Sequence, residues 1–309
     1  MKNNKVLKIF IVLLLLITLT GCTKLLKDSD NKVVKNAETG QNVTENIICK
    51  PTDKNLIKIY NDNKIDIEKL PNCNDLKFGG KYENLWNNLF VRPLAFIIVK
   101  LGKIVKSYGL SIILVTLAIR LILFPVTKKT LLQSQNMKKA KPELDRLEKK
   151  YEGKTDNESV AKKGKEMMMI YKKYNISPLS GCLFAFIQIP LIMGFYEAIN
   201  RVPAIFESNF LGLKMGMTPR TAIAGGSWHY IILCIILIIV TYASYKLNPS
   251  MSAGDTANPM GNPKTMGIFM TGFIGLLSFS LPTAIAVYWI ISSLFTIIQN
   301  FMLKGGEKA

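Results

Sequence analysis

Residues 109–126, GLSIILVTLAIRLILFPV, are apolar except for Ser111, Thr116 and Arg120. With its flanks the stretch is long enough to cross a hydrocarbon layer of about 30 Å. At about 1.5 Å per residue, Arg120 sits roughly 16 Å from its start, near the bilayer midplane. An arginine there costs at least ~2.5–3.5 kcal/mol on insertion scales, so it must face water, an acid or a working cavity. Thr116 lies one turn earlier on the same helical face. The bland alternative is permanent pairing with an acid on another helix. Glu197 is the one carboxylate in the other apolar segments, and it lies near a segment end, so a solvated, functional Arg120 is expected.

Composition fits this segregation of charge from apolar surface. The 309 residues carry a formal charge of +19, yet 49% are hydrophobic and mean hydropathy is +0.22. A soluble nucleic-acid binder rarely combines the two, and no specific nucleic-acid partner is expected. One histidine, His229, and five cysteines without metal-ligand spacing argue against a zinc site or histidine catalysis. No phosphate-binding G-x-x-x-x-G-K-[ST] loop is present. The expectation is a non-enzyme with no cofactor.

Residues 1–21 read as an export signal: Lys2, Lys5 and Lys8, an apolar run, then Leu19-Thr20-Gly21-Cys22. Those last residues resemble a bacterial lipobox, making Cys22 the lipidated first residue of the mature chain, outside the cytoplasm. The alternative is an uncleaved helix with a chance cysteine. Residues 22–80 are polar and predict a small or partly disordered extracytoplasmic segment. Cys49 and Cys73 within it either remain thiols or close a loop of about 25 residues, worth ~3 kcal/mol in the chain-entropy model. Residues 81–107 mix large apolar side chains with Arg92, Lys100, Lys103 and Lys106, which suits an interfacial amphipathic helix; an ordinary core-facing helix is the alternative.

A first span over 108–127 is followed by residues 128–175, a Lys-rich helical hairpin with a break at 153–157 and a Met-rich stripe from Met167. Its positive excess places it in the cytoplasm. Further spans are expected at 176–200, containing Gln188 and Pro190, and at 228–247, opening on the belt residues Trp228, His229 and Tyr230. A mixed loop at 201–227 is external and a polar loop at 248–264 cytoplasmic. The apolar tract 265–303 would measure about 58 Å as one helix, so Pro282 should divide it into spans at 265–280 and 283–303. Residues 304–309 form a short cytoplasmic tail. The fold class is an all-α integral membrane protein with five transmembrane helices.

The segments YGLSIILVTLAIRLILFPVTKKTLLQSQNMKKAKPELDRLEKKY, NISPLSGCLFAFIQIPLIMGFYEAI and LPTAIAVYWIISSLFTIIQNFML together resemble the YidC family of membrane protein insertases, in its Gram-positive lipoprotein form. The resemblance covers residues 82–303. It implies a hydrophilic groove among the helices, open to the cytoplasm and to lipid. Arg120 matches the groove arginine and Thr116 its neighbour one turn away. Tyr288 and Trp289 match the aromatic pair of the last helix, and Gln188 joins them. Where members often carry a glutamine in the third helix, this chain reads VTYASYK, so Ser244 takes the position. The implied partners are nascent membrane proteins, membrane lipids, the ribosome and the Sec translocation channel. Many members extend the tail as a basic ribosome-contacting arm; here it is short, which leaves the hairpin for that contact. Residues 23–80 match no part of the family. A small-anion transporter using the buried Arg120 is the alternative, but it would normally show repeated halves, and unequal spans give no such symmetry.

Overall fold

The computed structural model describes residues 23–78, 83–177, 180–247 and 263–305. The signal segment, Cys22, most of the 248–264 loop and the end of the tail lie outside them. Contacts divide the chain into two compact units. The first holds residues up to 119, 188–239 and 273–292; the second holds 120–187, 240–272 and 293–309.

The first unit opens with an ordered module at residues 23–78, where disorder was one expectation. Helix α1 (Lys54–Asp62) starts at Asp53, whose side chain accepts from the Leu56 amide at 2.9 Å. That bond satisfies one of the amides a helix start leaves unpaired. Leu26, Val43, Ile47, Leu56, Tyr60 and Ile67 form the module's core. The Tyr60 hydroxyl donates to the Thr44 carbonyl at 2.7 Å, so its polar end is satisfied on burial. Cys49 and Cys73 are joined by a disulfide.

Helix α2 (Arg92–Val105) follows a π-helical turn at Asn87–Val91. It buries Leu94, Ala95, Ile98, Val99 and Gly102 while exposing Ile97 and Ile104. It ends at Lys106 in the left-handed conformation, φ 53°. The chain then doubles back so closely that a Cβ on Gly102 would lie 2.4 Å from the Tyr108 ring. Helix α3 (Tyr108–Ile122) packs there, its Ser111 hydroxyl donating to the Ile98 carbonyl at 2.7 Å.

The first span was expected to run to 127, but the helix breaks at Leu123, and α4 (Phe124–Lys150) begins with Pro125 in its first turn. Proline lacks the amide an α-helix interior needs but fits a helix start, so the break falls where the ring is tolerated. Helix α5 (Asn157–Lys173) returns against α4, with Asp156 capping it through the Ser159 amide. Ala140, Leu144 and Ile176 form their shared core with Met137, Met167, Ile170 and Tyr171 packed around it. Met167 is therefore a packing residue, whereas Met168 and Met169 are exposed.

Helix α6 (Ser180–Arg201) leads into a short α7 (Pro203–Phe206), a hairpin of β1 (Asn209–Phe210) with β2 (Leu213–Lys214), and α8 (Pro219–Ala224). Then come α9 (His229–Leu247), α10 (Pro263–Ser278) and α11 (Thr283–Gly305). The break around Pro282 falls where proline required it. Among the described residues, α9 and residues 283–303 are long and apolar enough to cross a membrane; α3 and α4 count as a third span if taken together.

Candidate functional site

Although α9 buries Leu233 and Leu237 and α11 buries Ile285 and Ile290, both helices also carry a pattern foreign to a soluble protein. On α9, Ile232, Ile235, Ile236 and Ile239 are exposed, while Thr241 and Ser244 are buried. On α11, Ile298, Phe301 and Met302 are exposed, while Ser293, Thr296, Gln299 and Asn300 are buried. Water would select the reverse, because burial of a hydroxyl or amide costs free energy unless it is bonded and aliphatic surface prefers to leave water. A hydrocarbon solvent outside and a polar interior satisfy both faces.

In the second unit these polar residues continue onto α4. Gln299 Nε2 donates to Thr127 Oγ1 at 3.3 Å, tying α11 to α4, and Lys138 Nζ donates to the Leu247 carbonyl at 2.6 Å, tying α4 to α9. Thr130 and Gln135 are buried beside them in sequence, and neither oxygen nor nitrogen of the Gln135 amide has a hydrogen-bond partner among the described residues. Arg120 belongs to this unit and is only 3% exposed; Ser244 is also buried in it.

The other expected site residues belong to the first unit. Thr116 is buried and its hydroxyl donates to the Ile112 carbonyl at 2.6 Å, which satisfies it within its own helix. Gln188 Nε2 lies 3.4 Å from Tyr288 Oη, a long hydrogen bond that joins α6 to α11. Tyr288 is held by stacking on Phe195, with ring centroids 4.1 Å apart. Trp289 beside it is half-buried. Glu197, the carboxylate considered as a partner for Arg120, is taken by Trp86, whose Nε1 donates to Oε1 at 2.9 Å.

A compact ionic cluster lies one turn beyond Glu197. Arg201, 1% exposed, donates from Nε to the Asn46 carbonyl at 2.7 Å and from Nη2 to both oxygens of Glu83 at 3.0 and 2.8 Å. Arg92 donates to the same carboxylate at 2.7 Å. Burial acts to raise the Glu83 carboxyl, but the Arg92 hydrogen bond and the charge and hydrogen bond of Arg201 outweigh it, holding the group below the usual carboxylate range. A depressed folded value gives stability that is complete above the unfolded value, about 4.3 for glutamate, and lost as pH falls through the folded one. Acid titration of the unfolding temperature should therefore show a drop beginning below about pH 4.3. Glu83→Gln should flatten that drop; an unchanged acid limb would show that other carboxylates carry it.

Sequence reasoning missed most of the buried polar set. Its signal was present on α11, where Ser293, Thr296 and Asn300 recur at three- and four-residue spacing and so share one face. The cluster around Arg201 had no local signal, because Asn46, Glu83 and Arg201 are far apart along the chain.

Helices that expose aliphatic side chains while burying hydroxyl and amide side chains define an α-helical membrane protein. The family model described as "60Kd inner membrane protein" matches residues 100–308. The chain belongs to that family, the family of the YidC insertases. It is 36% identical over 227 residues to the membrane protein insertase MisCA of Bacillus subtilis (strain 168), covering 72% of this chain and 81% of that one. It is 33% identical over 230 residues to the membrane protein insertase YidC 2 of Bacillus anthracis, covering 74% and 84%. A crystal structure of an active YidC insertase with its first transmembrane domain resolved has the same fold, with a TM-score of 0.50 at 21% identity. That match covers 79% of this chain and spans about half, 51%, of the solved one.

Proposed function

We propose that the chain is a membrane protein insertase and chaperone whose five spans enclose a hydrophilic groove holding Arg120. The observation that carries this reading is the buried polar face shared by α4, α9 and α11 on helices with aliphatic exteriors, together with family membership. A nascent single-span client must move a polar or acidic tail across about 30 Å of hydrocarbon, and each acidic residue near the centre costs ~2.5–3.5 kcal/mol. A hydrated groove shortens that path, and Arg120 offers a transient counter-charge. The client's apolar segment then moves sideways into lipid, driven by partitioning of apolar surface out of water. Nothing in this sequence of events requires a nucleotide.

In the proposed orientation Cys22 is lipidated and external, and the hairpin α4–α5 and the C-terminus are cytoplasmic. The hairpin is then the contact for the ribosome, and the Sec channel is a candidate partner for clients with large external domains. Thr116, Gln188, Ser244, Tyr288 and Trp289 are the residues proposed to meet the client alongside Arg120. Photo-cross-linkers substituted at Thr116 and at Tyr288 test this directly with a ribosome-tethered client. Both should capture the client's apolar segment, whereas one at exposed Ile232 on α9 should give mostly lipid adducts. Equal capture from all three positions would remove the case for a groove.

A further inference from the structure

The module of residues 23–78 plays no part in the function proposed above, and it precedes the family match that begins at residue 100. Within its own unit it touches α2 through Phe78 on Phe96 and the Glu207 carboxylate through the Thr52 and Asp53 amides, and it grips two further places. The first is the end of α6: the Ile48 amide donates to the Arg201 carbonyl at 2.9 Å, Arg201 Nε donates to the Asn46 carbonyl at 2.7 Å, and Gln41 Nε2 donates to Asn200 Oδ1 at 2.9 Å. The second is the loop before α8. There the Thr218 amide donates to the Thr39 carbonyl at 2.8 Å, and Gly40, at φ +70°, lies so close that a Cβ would meet Thr221 Oγ1 at 1.9 Å.

That loop also carries the start of α11. The Thr283 amide donates to the Met217 carbonyl at 3.0 Å and the Ala284 amide to the Met215 carbonyl at 2.9 Å. The module thus connects the end of the helix that bears Gln188 with the start of the helix that bears Tyr288. The disulfide lies beside the first grip. Cys49 directly follows Ile48, and both half-cystines are buried in the cluster that includes Ile199, Ile285 and Tyr288.

We propose that residues 23–78 form a disulfide-closed clamp holding the end of α6 to the start of α11, so that opening the Cys49–Cys73 bond loosens both. In the proposed orientation the clamp faces the oxidising side of the membrane, where a disulfide persists. The clamp is independent of any role for Arg120.

Hydrogen–deuterium exchange on the full chain in lipid nanodiscs tests it, because local opening sets the exchange rate of amides in the loosened segment. The variants are Cys49→Ala/Cys73→Ala, and Gly40→Val, which forces the module off Thr221 with the disulfide intact. Either should raise exchange about tenfold or more in peptides covering 199–218 and 283–285, corresponding to about 1.4 kcal/mol of local stability. Peptides covering 124–173 should be unchanged. If the double cysteine variant yields no folded protein, reduction of the folded wild-type chain in nanodiscs takes its place. Unchanged exchange at 199–218 and 283–285, in Gly40→Val or with the disulfide open, overturns the clamp, as does a rise of equal size throughout the chain. Arg120→Ala should leave these rates alone, so failure of the clamp and failure of the insertase reading are separable.

Discussion

Arg120→Ala is expected to lower insertion of clients with acidic external tails by about tenfold or more per central acidic residue, while clients with neutral tails insert at nearly the normal rate. A tenfold loss corresponds to about 1.4 kcal/mol of transition-state stabilisation. That is about half of the ~2.5–3.5 kcal/mol an acidic residue costs at the bilayer centre, a reasonable share for a counter-charge in a hydrated cavity. Arg120→Lys keeps the charge on a flexible stem and should retain much of the activity, because a transient, moving partner does not need the fixed guanidinium fork. Reconstituted proteoliposomes and a series of clients with zero, one or two tail carboxylates measure this. The informative quantity is the slope against carboxylate number. Equal insertion by all three proteins across the series would sink the counter-charge mechanism, whereas a uniform loss independent of tail charge would assign Arg120 to maintaining the fold.

Arg120 and Thr116 stand out in the sequence because a hydrocarbon solvent makes one charged residue in an apolar run expensive, so its presence must be explained. Tyr288 and Trp289 stand out only through resemblance; alone, an aromatic pair in a span has many uses. The polar face of α11 was visible at helical spacing, but the tract was read for length, and length alone does not distinguish a lipid-facing helix from one lining a cavity. The helix break inside the expected 108–127 span was not apparent because apolar composition continues through Leu123 and Phe124, and only the backbone limits of Pro125 mark the change. Residues 23–78 were the least legible. Of their core residues only Leu56 and Tyr60, four apart on α1, show helical spacing, and the rest of the segment is ordered by isolated bridges and by contacts with Arg201 and Thr218 that no local pattern encodes.

Arg201→Ala should be the most destabilising single change on the same unit. The side chain is 1% exposed and joins three distant parts of the chain through Asn46, Glu83 and its own helix. Removing one partner of a buried ion pair typically costs 3–5 kcal/mol, because the remaining charge stays desolvated. The lower end, about 3 kcal/mol, is expected here, since Glu83 is partly exposed and keeps Arg92 as a second partner. Arg201→Lys should recover only a minority of the loss: an ammonium can meet Glu83 or the Asn46 carbonyl, but it lacks the planar fork that serves both at once. Glu83→Gln in the Arg201→Ala background should cost less than the sum of the single changes, because the orphaned carboxylate is then gone. Equilibrium unfolding in mixed micelles gives all four values. A loss of under about 1 kcal/mol for Arg201→Ala would put it in the range of a surface salt bridge and show that water reaches the cluster.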